Sequence, residues 1–361
     1  MHILITGAAA FIGRNLLAHL EPAGHTLWPV DQSTNEPQLT EAIANADFVF
    51  HLLQADAPKE EAPTAEELAF TKTLLTRLES AKQPPVVMAG ADETMDEALA
   101  AYGQRTGAPV QYFHLAEVFG KWSRPNHRSI VATLCTKITR DLPVTLEQPD
   151  QVLQLCYIDD VTEALCAALE GRTQVGCRSV EPVYTLTLGE LALRLSSYKE
   201  MRNLLDVPDQ SGCLTHKLYA TYLSYLPPDD FARNPVVHSD QRGSFTELLH
   251  MGGYGQLSLN VSKPGIVKGE HWHRTKHEKF IVIQGEGIIR LRKPGDSTPI
   301  SYRVSGETRT VVDIPPGYAH NIENVGQEDL YTLMWINERF DPADTDAYPM
   351  PVTPPKTGGN P

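Results

Sequence analysis

The residues best suited to chemistry stand in two short stretches of the carboxy-terminal third. The first reads Gly265-x5-His271-x-His273-x4-Glu278-x6-Gly285, and the second Pro315-x-Gly317-x2-His320-x3-Asn324. Three imidazoles and one carboxylate are the donor set of a borderline divalent ion, zinc first, with iron, manganese or nickel compatible. On a strand, residues two apart share a face, so His271 and His273 point the same way, into a barrel. Glu278 follows a short connection and is expected on the adjoining strand. His320 is expected from the opposite hairpin, with Pro315-Pro316-Gly317 as its turn.

Those ligands need strands to carry them. From Val236 onward, β-rich runs at 255–261, 279–283, 287–291, 310–314 and 330–336 are separated by Gly and Pro. That texture predicts an antiparallel barrel or jelly roll. Upstream, to about Gly171, apolar runs at 3–6, 47–52, 85–88 and 110–115 alternate with helical stretches such as 11–20 and 66–78. Alternation of this kind predicts an α/β domain with a parallel sheet wrapped by helices. Residues 172–230 read as helices and loops, and Leu226-Pro-Pro-Asp-Asp makes a break. A chain of 361 residues is long for one core. The expected division is 1–232 and 233–348, with a Pro- and Gly-rich, disordered tail at 349–361.

Bulk properties narrow the partners. A formal net charge of −14 repels phosphate backbones and anionic lipid, so nucleic acid and membrane are not expected as partners. An anionic substrate must instead meet local positive charge, and Lys263, Lys268, Lys276 and Lys279 surround the first histidine stretch. No apolar run approaches the ~20 residues of a membrane span, and the amino terminus runs straight into a structural motif rather than a signal peptide. Five cysteines without CxxC spacing read as reduced thiols of a cytoplasmic protein.

That amino-terminal motif is Ile3-Leu4-Ile5-Thr6-Gly7-Ala8-Ala9-Ala10-Phe11-Ile12-Gly13. A strand delivers a tight turn, and the helix after it offers its amino terminus to a pyrophosphate. It resembles the T-G-x-x-G-F-[IV]-G opening of extended short-chain dehydrogenases, with Gly7, Phe11, Ile12 and Gly13 in place. Ala10 stands where the middle glycine belongs, and its methyl crowds the pyrophosphate; whether it weakens or abolishes NAD(P) binding is open. Asp31, at the end of the expected second strand, would hold an adenosine ribose and favour NAD over NADP. Tyr157-Ile-Asp-Asp-Val161 and Val118-Phe-Gly-Lys-Trp122 resemble segments of the nucleotide-sugar members of that superfamily.

The reductase chemistry of that superfamily needs a tyrosine acid, a lysine four residues later, and a serine near the end of the fourth strand. Here Ala89-Gly90-Ala91-Asp92 replaces the serine run, and Tyr102 is followed four residues on by Thr106. His51-Leu52-Leu53-Gln54 replaces the alanine-glycine pair expected after the third strand. These departures, with Ala10, predict a degenerate reductase site.

The two histidine stretches match the first and second cupin motifs. Asp240-Gln241-Arg242-Gly243-Ser244-Phe245 resembles the D-x-R-G-x-F segment of cupins that act on nucleotide-linked keto-sugars, where the arginine fork grips a diphosphate. Over nearly its full length the chain resembles the two-domain capsular polysaccharide synthesis enzymes of the CapF type, a short-chain reductase domain followed by a zinc cupin. The resemblance is strongest at 242–247, 260–265, 271–273, 278–280 and 320–324, and Tyr219 to Pro227 looks like the family's interdomain connection. It implies epimerisation at C3 of a UDP-linked 4-keto-6-deoxy amino sugar by the cupin. Reduction of the C4 ketone with NADPH by the other domain follows, towards UDP-N-acetylfucosamine. For the base that removes the C3 proton the candidates are Lys276 and His277, since Glu278 is occupied with the metal. A homodimer is expected, because cupins pair through their sheets. The leading expectation is an epimerase with a vestigial Rossmann domain. Its rivals are the full bifunctional enzyme, a non-catalytic sugar-nucleotide-binding protein and, last, a cupin dioxygenase.

Overall fold

Each apolar run of the first half becomes a strand buried on both faces, as a parallel sheet requires. The computed structural model describes residues 1–31, 33–52, 64–90, 94–173 and 175–353. Leu53, Gln54, Ala91, Asp92 and the last residues of the expected disordered tail lie outside the described residues.

The first compact unit holds 1–198 with 212–228. In chain order it contains β1 (His2–Thr6), α1 (Phe11–Leu20), β2 (Thr26–Val30), α2 (Glu36–Asn45), β3 (Phe48–His51), α3 (Ala65–Glu79), β4 (Val86–Gly90), α4 (Thr94–Thr106) and β5 (Val110–His114). There follow β6 (Glu117–Phe119), α5 (Ile130–Thr139), β7 (Val152–Tyr157), α6 (Ile158–Leu169), β8 (Gly176–Ser179), β9 (Val183–Thr187), most of α7 (Leu188–Asn203), and α8 (Cys213–Ser224). Six strands form a parallel sheet in the order β2-β1-β3-β4-β5-β8, so the order reverses at β1. Alternate residues of β1 feed the two faces: Ile3 and Ile5 pack with α1 and α6, Leu4 with α2, α3 and α4. Caps set the helix starts: Asn35 accepts from Gln38 N, and Thr64 with Glu67 closes a capping box. A small sheet, β6-β7-β9, accompanies the main one.

The second unit is β-rich and begins earlier than Val236, because 199–211 belongs to it. In that segment β10 (Asp206–Val207) pairs with β12 (Gly243–Met251), and His250 N donates to Leu205 O. The remaining strands are β11 (Val237–Asp240), β13 (Gln256–Ser262), β14 (Val267–Trp272), β15 (Glu278–Gln284), β16 (Glu286–Arg292), β17 (Ile300–Ser305), β18 (Val311–Ile314), β19 (Ala319–Asn324), β20 (Leu330–Ile336) and β21 (Tyr348–Pro349). One sheet runs β10-β12-β13-β20-β15-β18, with β11 on β12; the other runs β17-β16-β19-β14-β21. All pairings except β10 with β12 are antiparallel. The two sheets close on a shared apolar core, with Phe280, Val282, Ile314 and Leu330 from the first and Ile289, Leu291, Val304 and Ile322 from the second. This is the jelly-roll arrangement expected from the sequence. Among the described residues no helix is long and apolar enough to cross a membrane.

Candidate metal centre

His271 and His320 face each other as a cross-strand pair of β14 and β19. A bulge makes that possible. Lys268 lies opposite Ile322 of the core and so points inward; strict alternation would then turn residues 270 and 272 inward. The register shifts between Gly269 and His271, with Glu270 at φ 64° as the extra residue, and the phase change turns His271 to the inside. Gly269 (φ 106°) is obligatory, because a Cβ there would sit 2.7 Å from His320 O. The Glu270 carboxylate fastens the bulge, accepting from Asn321 Nδ2 (2.5 Å) and Val352 N (2.6 Å).

His273 lies just past the end of β14. Its Nδ1 is 2.6 Å from the Asp346 carbonyl, which can only accept, so Nδ1 carries the hydrogen and Nε2 keeps its lone pair. The Asp346 carboxylate in turn accepts from the backbone N–H groups of Arg274, Thr275 and Lys276 at 2.9–3.0 Å, fixing the loop that follows His273.

Glu278 opens β15. Its Oε2 is 3.0 Å from His320 Nε2 and 3.6 Å from His273 Nε2. The expected placement of two ligands is corrected here. β15 is not the neighbour of β14 but a strand of the facing sheet, whereas His320 is on the strand next to β14. The chain crosses between the sheets in both short connections, 273–277 and 315–318, so sequence proximity to Glu278 becomes a position across the barrel.

The ligand atoms of His271, His273 and His320 all lie within 4.8 Å of one another. His273 Nε2 and Glu278 Oε2, which face each other at 3.6 Å, are both buried without a hydrogen-bond partner. A buried polar atom in that state costs about 1–3 kcal/mol, and two side by side need a common counterpart. Imidazole nitrogens and one carboxylate oxygen fit a divalent ion, as the ligand set of a zinc site does. Protonation agrees. Burial, then the neighbouring imidazoles, lowers the His271 pKa to about 4, so its ring is neutral near pH 7. Burial alone would raise Glu278, but His273 and His320 outweigh it and hold the carboxyl below its usual range. Burial likewise opposes a charge on His273, yet Glu278 and the Asp346 carbonyl raise its pKa.

The two candidate bases are placed differently. Lys276 is buried with its ammonium on the carbonyls of Thr345 (3.1 Å) and Asp344 (3.5 Å). His277 is exposed, edge-on to Trp335, on the strand face opposite Glu278. Arg242 stands in the β11–β12 turn with a 62% exposed side chain, its Nε and Nη2 both on Asp240 Oδ2.

Sequence reasoning missed the inner wall of β13. Gln256, Ser258, Asn260 and Ser262 are buried, while Leu257, Leu259 and Val261 between them are only half-buried. Register carries this wall to the ligand row, since Gln256 and Glu278 both pair with Ile336 of β20. Lys268 reaches it from the opposite sheet, donating to Asn260 Oδ1 (2.7 Å) and Val261 O (2.9 Å), and burial lowers its pKa. A polar wall inside a barrel was signalled only by the polar half of the Gln-Leu-Ser-Leu-Asn-Val-Ser alternation.

In the first unit, Gly7 turns the chain at φ 70° and Ala10 caps α1, with its N–H on Gly7 O. Phe11 and Ile12 are buried under the sheet, and a Cβ at Gly13 would meet Gly7 O at 2.2 Å, so strand and helix touch there. Asp31 follows β2 directly; its carboxylate accepts from Ser33 N and Oγ, which hold its pKa low. Tyr102 is fully buried with its hydroxyl on Pro84 O, and burial raises its pKa to about 12. Asp160, from the Tyr157 segment, takes Lys217 Nζ on both oxygens, and that ammonium also donates to Tyr184 Oη at 3.1 Å.

Residues 238–348 match the polysaccharide biosynthesis C-terminal domain, and residues 3–98 match the NAD dependent epimerase/dehydratase family. A UDP-2-acetamido-2,6-beta-L-arabino-hexul-4-ose reductase of Pseudomonas aeruginosa is 35% identical over 364 residues, spanning 96% of this chain and 98% of that one. The crystal structure of the capsular polysaccharide assembling protein CapF of Staphylococcus aureus superposes with a TM-score of 0.90 at 38% identity, covering 98% of this chain and all of that one. CapF with the inhibitor 3-isopropenyl-tropolone gives 0.88 at 39% identity, with the same coverage. The Thermus thermophilus UDP-glucose 4-epimerase bound to NAD shares the fold alone, at 18% identity and a TM-score of 0.50 over 62% of this chain and 99% of that one.

Proposed function

Since this chain belongs to the CapF family of capsular polysaccharide assembling proteins and works in nucleotide-sugar modification, we propose that its β-rich unit is a metal-dependent cupin epimerase. Its substrate in this reading is a UDP-linked 4-keto-6-deoxy amino sugar, inverted at C3. The observation that carries it is the convergence of His271, His273, Glu278 and His320 beside the polar inner wall of β13. One divalent ion held by these four residues would supply Lewis acidity for the charge that develops when the proton beside the ketone leaves.

The chain's own residues do the rest. Gln256, Ser258 and Asn260 would offer hydrogen bonds to a polyhydroxylated ring. Lys276 points to the carbonyls of Asp344 and Thr345 and His277 is exposed against Trp335, so we assign the base to Lys268, whose amino group lies on the polar wall at Asn260. It faces inward and burial lowers its pKa, the direction a general base requires. The epimer forms when a proton returns from the opposite face. Arg242, exposed in the β11–β12 turn, would exchange Asp240 for the diphosphate. No disulfide joins any of the five cysteines, in keeping with a cytoplasmic enzyme.

In this reading the first unit keeps the turn and helix of a dinucleotide fold without hydride transfer, because Tyr102 is spent on a backbone carbonyl and Thr106 stands where its lysine would be. A working reductase is the second reading, favoured by the name of the Pseudomonas relative and by the Tyr184–Lys217 contact. Against it, that lysine is ion-paired with Asp160. The metal-loaded protein, given the UDP-keto-sugar and NADPH, is expected to epimerise without consuming NADPH, and Lys268→Ala to abolish epimerisation while retaining the metal. Stoichiometric NADPH oxidation would establish the second reading instead.

A further inference from the structure

A second group of ligating side chains stands at the far edge of the first unit's parallel sheet. Asp96 comes from the first turn of α4, His114 is the last residue of β5, and Cys177 lies on the edge strand β8. Their ligand atoms all lie within 4.8 Å of one another, with Asp96 Oδ2 3.3 Å from His114 Nε2. The fold explains the convergence. In the β5–β8 register Cys177 is opposite Tyr112, and Tyr112 shares a strand face with His114. That face is the one α4 covers, since Tyr112 packs with Met95 and Leu99. The rings of Tyr112 and His114 are 4.7 Å apart, which limits the imidazole's freedom.

The chemistry of the group is specific. A thiolate, an imidazole and a carboxylate form a soft-to-borderline donor set that suits zinc and disfavours magnesium or calcium, which take oxygen ligands. Thiolate and carboxylate together would balance the charge of one divalent ion. Ligand bonds of about 2.0–2.3 Å in a tetrahedron put donor atoms roughly 3.3–3.8 Å apart. The Asp96–His114 pair already has that spacing, and the remaining closure is within the reach of side-chain rotation. Three protein ligands leave a fourth position for water or an exogenous group.

We propose that Asp96, His114 and Cys177 form a second metal site, for one zinc-class divalent ion, independent of the histidine-rich centre. The site opens at the carboxyl ends of the strands, where open α/β sheets bind ligands. His114 pairs with Gly90, the last residue of β4, so the site is one strand away from where a reductase serine is expected.

All five cysteines belong to the first unit, at 135, 156, 166, 177 and 213, so the histidine-rich centre has no sulfur ligand. This makes the two sites separable by spectroscopy. The full chain, stripped by chelation, is titrated with cobalt(II) alone. The proposal expects two equivalents per chain and a thiolate-to-cobalt charge-transfer band in the near ultraviolet. Cys177→Ser should lose the band and one equivalent, Cys213→Ser neither, and His271→Ala one equivalent but not the band. Absence of the band from the wild-type protein overturns the proposal whatever the variants do. So does a band that survives Cys177→Ser or disappears with Cys213→Ser.

Discussion

Replacing Asp346 with alanine should weaken both the metal centre and the fold of the second unit. Asp346 lies 73 residues beyond His273, yet its carbonyl holds Nδ1 of that ring and its carboxylate accepts four hydrogen bonds. Hydrogen bonds to a charged group are worth about 1.5–3 kcal/mol each. Arg274 and Thr275 are exposed, so water replaces part of what they lose; the buried Lys276 N–H has no such recourse. The loss is therefore about 3 kcal/mol, with roughly 1 kcal/mol more because Asp346 sits at φ 43°, where alanine is strained. Releasing the carbonyl that orients a ligating histidine should weaken metal binding by about 10- to 100-fold. Asp346→Asn, which tolerates that backbone and keeps an oxygen for the Lys276 N–H, should lose about half as much on each count. Denaturant unfolding and zinc titration against a chromophoric chelator read the two effects. An unchanged zinc Kd and unfolding midpoint in Asp346→Ala would refute the argument that this strap positions His273.

Three further outcomes follow from particular contacts. His51 is buried between Thr6 and Thr71, and burial lowers its pKa from 6.5 to about 4. The unfolded chain therefore takes up this proton first, so stability is undiminished above pH 6.5 and falls as pH drops towards 4. The fall amounts to about 3 kcal/mol from this residue, and His51→Gln should flatten that part of the pH–stability curve of the full chain. Gly269→Ala forces a methyl onto the His320 carbonyl and should cost about 3 kcal/mol, with weaker zinc binding, seen by thermal unfolding and zinc titration. Tropolone is an oxygen chelator of divalent ions. Calorimetry should detect its binding to the zinc-loaded protein, and binding should vanish for His320→Ala.

That His271, His273, Glu278 and His320 belong together was legible because their types and spacing survive any detail of the fold. So was the parallel sheet, since β1, β3 and β4 are apolar runs bounded by polar turns. What was not legible depends on backbone geometry or on distance along the chain. Nothing in Lys268-Gly-Glu-His announces that Glu270 is an extra residue, yet that bulge decides which histidine faces inward. The crossing of 273–277 put Glu278 in the facing sheet, because a five-residue link spans two sheets as readily as two neighbouring strands. β13 reversed the usual inference: its leucines are the less buried set and its amides and hydroxyls line the interior, a pattern that burial of apolar area alone would invert. Asp346 and the Asp96–His114–Cys177 group are assembled from residues too far apart in sequence for spacing to reveal.

In the proposed reading the β-rich unit moves the proton at C3 of a UDP-linked 4-keto sugar. The zinc-loaded protein incubated with a UDP-4-keto-6-deoxy amino sugar in D2O, followed by proton NMR, tests it most directly. The C3 proton signal should disappear as deuterium enters, with the epimer appearing alongside, and neither change should occur in His320→Ala. A C3 proton that persists at full zinc occupancy while the sugar remains bound would contradict this reading, and would leave the unit a sugar-nucleotide-binding module.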